Sequence, residues 1–367
     1  MTGRPRRVAL VLATSTGGVG QHVRMLTSGL RANGDVVAVL GPQATEDLFG
    51  FRQAGAAFAP VEIAAGPEPI ADTRALLRLR RLVRNADVVH AHGLRAGLLT
   101  AVALRLLPRR PALVVTLHNL VLDGGRRARA YEILEPIVVR HADVVLGVSA
   151  DIEERARGSG GRDVRHGFVP APPLPPPTRT PEQVRRELGA QSRPLVVVVA
   201  RLHPQKGYPV LLDAAADWAT RDPKPLVVAA GSGPAHEELA ARIDAERLPV
   251  KLLGHRADVA DLLAAADVVV LPSQWEGQPL TVQETLRAGV PLVATAVGGV
   301  PAMVGDAAML VPYADAAALA VAVSRVLDDD DLRRSLGEHG RAQALSWPTE
   351  AQTVEQVSAL YDEVLTA

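Results

Sequence analysis

Twelve short apolar runs of valine, leucine and alanine recur along the 367-residue chain, separated by turn residues and longer amphipathic stretches. Continuous apolar runs, as opposed to alternating ones, are typical of strands covered on both faces of a parallel sheet. The stretches between several of them have helical length and periodicity, so the chain is predicted to form doubly wound α/β sheets. The runs cover residues 8–14, 36–41, 57–63, 88–91, 112–117, 144–148, 195–200, 226–230, 250–253, 268–271, 292–295 and 309–311.

A proline-rich segment divides the two series of runs. Residues 170–181 contain seven prolines, too many for a helix interior or an inner strand, which indicates a stiff extended linker. We therefore predict a Rossmann-like domain over 1–170, a linker over 171–190 and a second Rossmann-like domain over 191–346. A final helix over 347–367 is expected to return to the first domain. The alternative is one large α/β domain.

Composition excludes several classes of protein. Forty basic and forty acidic residues cancel, so binding to nucleic acid through bulk charge is not expected. The absence of cysteine excludes disulfides and thiolate metal sites, and fits a cytoplasmic location. The longest apolar runs fall well short of the roughly 18 residues that a membrane-spanning helix needs.

The neutral total conceals an uneven distribution of charge. Residues 1–170 hold 23 arginines, no lysine and 15 acidic residues, a net charge of +8, and the remainder carries −8. Part of the excess lies among leucines in the predicted helix over 73–85. This pattern fits a solvated helix face, a peripheral contact with an anionic membrane leaflet, or attraction of a phosphate-bearing acceptor. The arginines concerned are Arg74, Arg78, Arg80, Arg81 and Arg84, with Arg109, Arg110, Arg126, Arg127 and Arg129 in nearby loops.

The strand ends of the second half carry an unusual set of residues. The run ending at 200 is followed by Arg201 and Lys206, the next by Gly231-Ser-Gly233, and the third by Gly254-His255-Arg256. Ligands of open α/β sheets bind beyond the carboxyl ends of the strands. Cations and closely approaching glycine amides suit a diphosphate there, although any single loop is also compatible with a solvated surface charge.

Two glutamates bracket the start of a predicted helix. Pro279 suits the first turn and Gly289 the end, so Glu276 precedes the helix and Glu284 lies in its second turn. Carboxylates accept hydrogen bonds from paired hydroxyls, such as those of a sugar or ribose. The alternative for Glu284 is an exposed helical residue without a ligand.

Together these motifs resemble the retaining glycosyltransferases of family 4, which have the GT-B fold of two Rossmann-like domains facing each other across a cleft. The resemblance spans nearly the whole chain. Its most specific part is the Glu-x7-Glu element with the upstream Arg/Lys pair, and it extends to Gly17-Gly18, His90-Ala-His92, Thr116-Leu-His118-Asn119 and Gly298-Gly299.

The resemblance implies a role for each matched residue. Arg201 and Lys206 would bind the donor pyrophosphate, Glu276 would lie at the donor sugar, and Glu284 would hold the ribose. His118 would contact the transferred sugar and act in catalysis, with a core histidine as the alternative. Neither a metal nor a cofactor is expected, because cations and amides supply the positive charge. The donor-binding set adds Gly17, Gly18, Gly231, Gly254, His255, Arg256, Gly277, Leu280 and Thr281, and the acceptor-side candidates are His90, His92 and Asn119.

The expected activity is transfer of a hexose or N-acetylhexosamine from a nucleotide diphosphate sugar, with a UDP-sugar favoured over GDP-mannose. The acceptor would be a glycan, a lipid-linked molecule or a small molecule. Two alternatives stay open, a nucleotide-sugar epimerase on the same scaffold and a non-catalytic nucleotide-sugar-binding protein. The chain departs from the family pattern at His166, where an asparagine is common, and at Pro279 and Ala302.

Overall fold

The chain forms two compact units, Met1–Pro170 with Pro348–Ala367 (unit 1) and Ala171–Trp347 (unit 2). The structure is a computed structural model that describes residues 4–64, 66–120 and 126–366, with the backbone alone for 126–131. Each of the twelve predicted apolar runs overlaps a strand. The predicted doubly wound parallel sheets are confirmed in both units.

Unit 1 is a seven-stranded parallel sheet in the order β3-β2-β1-β4-β5-β6-β7 with helices between successive strands. Apart from the C-terminal helix, its elements are β1 (Arg7–Leu12), α1 (Gly18–Ala32), β2 (Val36–Gly41), α2 (Gln43–Phe49), β3 (Ala57–Pro60), α3 (Pro69–Val83), β4 (Val88–His92), α4 (Leu94–Arg105), β5 (Ala112–Leu117), α5 (Arg126–His141), β6 (Val144–Gly147), α6 (Ala150–Gly158) and β7 (Val164–His166).

Unit 2 is a six-stranded parallel sheet in the order β10-β9-β8-β11-β12-β13. Its elements are α7 (Pro181–Leu188), β8 (Leu195–Val199), α8 (Tyr208–Trp218), β9 (Leu226–Ala230), α9 (His236–Glu246), β10 (Val250–Gly254), α10 (Val259–Ala265), β11 (Val268–Leu271), α11 (Leu280–Ala288), β12 (Leu292–Thr295), α12 (Val300–Val304), β13 (Met309–Val311), α13 (Ala316–Asp328) and α14 (Asp330–Leu345).

The strand order reverses between β1 and β4 in unit 1 and between β8 and β11 in unit 2. At such a switch point the connections leave toward opposite faces, which opens a crevice at the carboxyl ends of the two strands. The loops that follow β8 and β11 are the ones that carry the predicted diphosphate and sugar motifs. The fold therefore brings those motifs together.

The C-terminal helix α15 (Glu350–Thr366) packs into the core of unit 1. Its buried residues Val354, Val357, Leu360 and Tyr361 join the apolar cluster beneath α1. Arg6 binds it from the start of β1, because its guanidinium donates to Asp362 at 2.8 Å and to the Ser358 carbonyl at 2.7 Å. Unit 1 is thus built from both ends of the chain.

The second half of the predicted linker is helical. Helix α7 starts with a reciprocal capping box, in which Thr180 Oγ1 accepts from Gln183 N at 3.3 Å and Gln183 Oε1 accepts from Thr180 N at 2.9 Å. Pro181 occupies the first turn and Gly189 ends the helix in the left-handed conformation. The prolines of 170–177 all precede the helix, and the Thr-Pro-Glu-Gln sequence that follows them starts it within the predicted linker. No helix in the described part of the chain has the length and apolarity to cross a membrane.

Candidate functional site

Two loops at the carboxyl edge of the unit 2 sheet are joined by hydrogen bonds. The backbone of Gln274 donates to the Gln205 carbonyl at 2.8 Å, and Gln205 Nε2 donates to the Trp275 carbonyl at 2.9 Å. Gly207 has a φ of 68°, and a Cβ there would come within 1.8 Å of the Pro272 carbonyl oxygen. Only glycine permits this approach, so the loops after β8 and β11 hold a fixed register.

A buried ion pair lies where these loops meet. Lys206 Nζ and Ser273 Oγ both donate to Glu276 Oε1, each at 2.6 Å. The side chains of Lys206 and Glu276 are only 16% and 8% exposed, so solvent screens this charge-assisted contact weakly. Glu276 Oε2 accepts no hydrogen bond from a described residue. Ser273 was absent from the predicted set, although it stands three residues before Glu276 in the same loop.

Arg201 follows β8 on the same edge. It is exposed and makes no hydrogen bond or ion pair through its side chain within the described ranges. The neighbouring backbone is fixed, because Leu202 N donates to the Ser232 carbonyl at 3.0 Å and Gly231 N donates to the Gly254 carbonyl at 2.8 Å. A free guanidinium on a rigid loop is available to an anion without first losing a partner.

Helix α11 places a carboxyl group without a hydrogen-bond donor near this edge. Thr281 Oγ1 donates to the Val199 carbonyl at 2.9 Å and so ties the first turn to the end of β8, directly after Leu280. Glu284 is half-buried and accepts no side-chain hydrogen bond from the described part of the chain. Burial raises the pKa of the Glu284 carboxyl above its ordinary value, against the opposing charge of Arg287. The predicted Gly277 lies buried in the preceding loop.

The loop after β10 differs from its predicted role in one side chain. Arg256 donates to Asp258 at 2.6 Å and to Glu187 of α7 at 3.0 Å, so its guanidinium is committed to an ion-pair network. His255 is exposed beside it. Because the Gly254 carbonyl already accepts from Gly231 N, the backbone groups of His255 are the parts of this loop without a hydrogen bond to a described residue.

Unit 1 carries a cluster of imidazoles at the carboxyl ends of β4 and β5. His92 Nδ1 and His118 Nε2 are 3.2 Å apart, which is hydrogen-bond distance. His118 is 8% exposed and His92 is 2% exposed. Asn119, the next residue after His118, is exposed. The pair joins the predicted catalytic histidine to a predicted acceptor-side histidine.

His90 does not take the acceptor-side role predicted for it. Its ring is fully buried, with Nδ1 2.7 Å from Tyr361 Oη and Nε2 2.7 Å from Thr116 Oγ1. Both ring nitrogens are thereby used inside unit 1, and the residue connects β4 to α15. An acceptor has no free polar atom to bind on this side chain.

A fourth histidine, His22 of α1, belongs to the cluster and was missed because no motif surrounds it. Its ring lies edge-on to those of His92 and His118, at centroid distances of 5.6 and 5.7 Å. Burial lowers the pKa of His22 to about 4 and that of His90 to about 3, and places the pKa of His92 and His118 well below 6.5. The four rings are therefore neutral at pH 7.

The remaining predicted residues of unit 1 lie after β1. Gly17 is exposed and occupies the N-cap position of α1, and Gly18 is its first helical residue. A Cβ at Gly17 would meet nothing within 4 Å. Packing therefore leaves this position open, in contrast to Gly207. Among the described residues, no group of three or more histidine, aspartate or glutamate side chains could hold a metal ion.

Two family models match the chain. Residues 17–172 match the "Glycosyl transferase 4-like domain" and residues 180–343 match "Glycosyl transferases group 1". A D-inositol 3-phosphate glycosyltransferase of Corynebacterium aurimucosum is 33% identical over 303 residues, which cover 74% of this chain and 71% of the relative. The chain belongs to the family 4 glycosyltransferases. The predicted family and its GT-B fold are thus confirmed.

Two further relatives and a solved structure show how widely the similarity extends. The D-inositol 3-phosphate glycosyltransferase of Corynebacterium efficiens is 34% identical over 242 residues, and the chain spans 55% of its length. A glycogen synthase of Mycobacterium tuberculosis is 29% identical over 387 residues, covering 93% of this chain and 90% of the relative. The crystal structure of Anabaena Alr3699/HepE in complex with UDP superposes with a TM-score of 0.82 at 20% identity, covering 98% of this chain and 100% of that one.

Proposed function

We propose that this family 4 glycosyltransferase is a retaining enzyme that moves a hexose or an N-acetylhexosamine from a nucleotide diphosphate sugar, with UDP as the favoured nucleotide. One observation carries the proposal. A free Arg201, the buried Lys206–Glu276 pair and the unpartnered Glu284 all belong to loops and a helix at the switch point of the unit 2 sheet. A ligand with both a diphosphate and hydroxyl groups satisfies all four side chains.

The chemistry explains why the cations stand at this edge. When the bond between the anomeric carbon and the phosphate breaks, negative charge grows on the departing diphosphate. Arg201 and Lys206 offer it positive charge from a rigid loop, so little reorganisation is needed at that moment. Glu276 Oε2 remains open to a sugar hydroxyl, and Glu284 is placed to accept the hydroxyls of the ribose. This arrangement supplies the required charge through the chain's own residues.

UDP is favoured because HepE, which shares the fold, was crystallised with UDP and with UDP-glucose. The acceptor is proposed to be a glycan, a lipid-linked molecule or a small polar molecule. Relatives of this chain are named for inositol 3-phosphate and for glycogen, two chemically different molecules. The choice of acceptor is therefore assigned to unit 1, where the sequence motifs are fewest.

Donor binding tests the proposed site. Lys206→Ala and Glu284→Gln are expected to weaken UDP-sugar binding by about 10- to 100-fold in calorimetry, since each removes a charge-assisted hydrogen bond of about 1.5–3 kcal/mol. The matched control is Lys224→Ala, because Lys224 is one of only three lysines and lies in a loop without a side-chain bond to a described residue. Equal affinity of Lys206→Ala and wild type would remove the assignment.

Product analysis separates transfer from the two alternatives. A transferase releases free UDP and forms a product whose anomeric configuration matches that of the donor, which NMR detects. An epimerase returns the sugar still attached to the nucleotide. A sensor binds the donor and consumes none of it. Only the first outcome, with retention, agrees with the proposal.

We further propose that α3 contacts an anionic membrane surface. The outermost stripe of this helix consists of Ile70, Arg74, Leu77 and Arg81 at helical spacing, and is continued by Arg84 at the C-cap. It lies opposite the buried Ala75, Leu79 and Val83. Ile70 and Leu77 are 73% and 58% exposed. None of the stripe's arginines has an ion-pair partner in the ranges that the structure describes, whereas the side chains of Arg126, Arg127 and Arg129 lie outside them. Cosedimentation with phosphatidylglycerol vesicles at low salt tests this contact.

A further inference from the structure

The buried imidazoles of unit 1 contain a hydrogen bond whose direction decides what His118 can do. His92 Nδ1 and His118 Nε2 lie 3.2 Å apart, and both rings are neutral at pH 7. A neutral imidazole carries one proton on one of its two nitrogens. One of the two facing atoms must therefore donate, and the other must accept. In each arrangement, the ring that donates has a bare far nitrogen and the ring that accepts has a protonated far nitrogen.

The far nitrogen of His92 distinguishes the two arrangements. His92 Nε2 is buried and has no hydrogen-bond partner among the described residues. If His92 Nδ1 accepted, its proton would sit on Nε2 as a buried N–H group without an acceptor. If His92 Nδ1 donates, Nε2 is a bare acceptor. Orphaned buried donors are rarer and more costly than under-used acceptors, so the second arrangement is the stable one.

The rest of the cluster does not compete for this proton. His90 stacks on His92 at a centroid distance of 4.2 Å, but its own nitrogens are bonded to Tyr361 and Thr116. His22 contacts the pair through ring edges, and its buried Nδ1 makes no hydrogen bond within the described chain. The direction of the bond is therefore set by His92 and His118 themselves.

We propose that His92 is a positioning residue that holds His118 as the Nδ1–H tautomer. With Nε2 occupied as an acceptor, the free Nδ1 of His118 presents an N–H donor. That donor suits a hydroxyl oxygen of the transferred sugar and cannot take up a proton from it. That the hydroxyl belongs to a transferred sugar rests on the proposed function. The tautomer, in contrast, is a property of unit 1 without any ligand.

Nitrogen NMR on the full-length protein tests the tautomer directly. Long-range ¹H–¹⁵N correlations of protein labelled with ¹⁵N-histidine distinguish protonated from bare ring nitrogens, and His118→Gln identifies the His118 signals. We expect Nδ1 of His118 to be protonated and Nε2 to be bare in the ligand-free wild type. A proton on Nε2 would overturn the proposal, whether or not the protein consumes a UDP-sugar.

Two substitutions of His92 separate positioning from packing. The amide of His92→Asn can still donate to His118 Nε2, so the tautomer should persist and kcat should stay within about threefold of wild type. The carboxylate of His92→Asp can only accept, so the tautomer should invert and kcat should fall about 10- to 100-fold with a smaller change in KM, as expected for a lost bond of about 1–3 kcal/mol.

A control variant and a test of folding accompany the two His92 substitutions. His22→Asn replaces a neighbour that only touches the pair, so it should leave the His118 tautomer unchanged. Thermal melting identifies any variant that fails to fold. Should His92→Asp unfold, the wild-type tautomer and the activity of His92→Asn still decide the matter. Equal tautomers in folded His92→Asn and His92→Asp would contradict the proposal.

Discussion

At the scale of single residues, the two glutamates of the unit 2 site differ in their hydrogen-bond partners. Glu276 accepts hydrogen bonds from Lys206 and Ser273, each at 2.6 Å, so its charge is compensated in the folded protein. Glu284 receives no such donor, and burial raises the pKa of its carboxyl. A half-buried charge without a partner lowers the stability of a protein. Glu284 is therefore a residue whose presence the fold alone does not explain.

Replacing Glu284 should stabilise the protein at neutral pH. Because the folded pKa exceeds the unfolded one, the folded state binds more protons, and stability falls as pH rises through this interval. Glu284→Gln removes that loss and should raise the melting temperature by about 2–4 °C at pH 7, which about 1 kcal/mol gives in a domain of this size. The difference should vanish below about pH 4, where the carboxyl is protonated in both states.

Glu276 provides the contrast. Glu276→Gln leaves Lys206 in its weakly exposed position without a charged partner, so this variant should lose about 1–3 kcal/mol of stability at pH 7. Calorimetric melting of both variants across pH 4–8 makes the comparison. Destabilisation by Glu284→Gln of the same size would show that this carboxylate has a structural partner after all.

At the scale of elements, most strands were predicted from apolar runs, and helix ends were predicted from proline and glycine. The strands were found because continuous runs such as that of β8 are buried along most of their length. β7 was missed because Val164–His166 is a three-residue edge strand without an apolar run. α4 was missed for the opposite reason, since burial on most sides removes its amphipathic period. Both errors follow from the position of the element in unit 1, at the edge of the sheet for β7 and in the buried interior for α4.

The exposed stripe of α3 makes a prediction at the same scale. The double variant Leu77→Ser/Arg81→Gln should reduce binding to phosphatidylglycerol vesicles at least tenfold, because it removes an apolar anchor and a charge worth about 1 kcal/mol near such a surface. The matched control is Val321→Ser/Arg334→Gln in unit 2, where Val321 is 68% exposed. Binding to soluble polyanions but not to vesicles would assign the stripe to another partner.

At the scale of the whole molecule, the sequence predicted a C-terminal helix that returns to the first domain, but it could not identify which side chains meet there. His90 meets Tyr361 across 271 residues, and Arg6 meets Asp362 across 356. His90 was predicted to face an acceptor because the sequence shows its spacing from His92. The sequence does not show its partner on α15. Arg201, Lys206, Glu276 and Glu284 could be predicted as site residues because each motif lies next to its own strand or helix end, and their roles stay a prediction.

Removing α15 should unfold unit 1 and spare unit 2. Four of its apolar side chains are buried in the unit 1 core, and at about 1.5–3 kcal/mol each they contribute as much as the entire stability of many domains. A chain ending at Trp347 should therefore lose amide-exchange protection in β1–β7 while β8–β13 remain protected. Protection of both sheets in that truncated chain would contradict this assignment.

The two-ended construction of unit 1 also bears on how the protein is made. A ribosome releases the chain from its N-terminus, so the seven strands of unit 1 leave the exit tunnel before unit 2 yet must wait for α15, which is translated after unit 2. Unit 2 has no such dependence and can complete its core while synthesis continues. The order of folding is thus the reverse of the order of emergence, and nascent unit 1 is the part that a chaperone would meet.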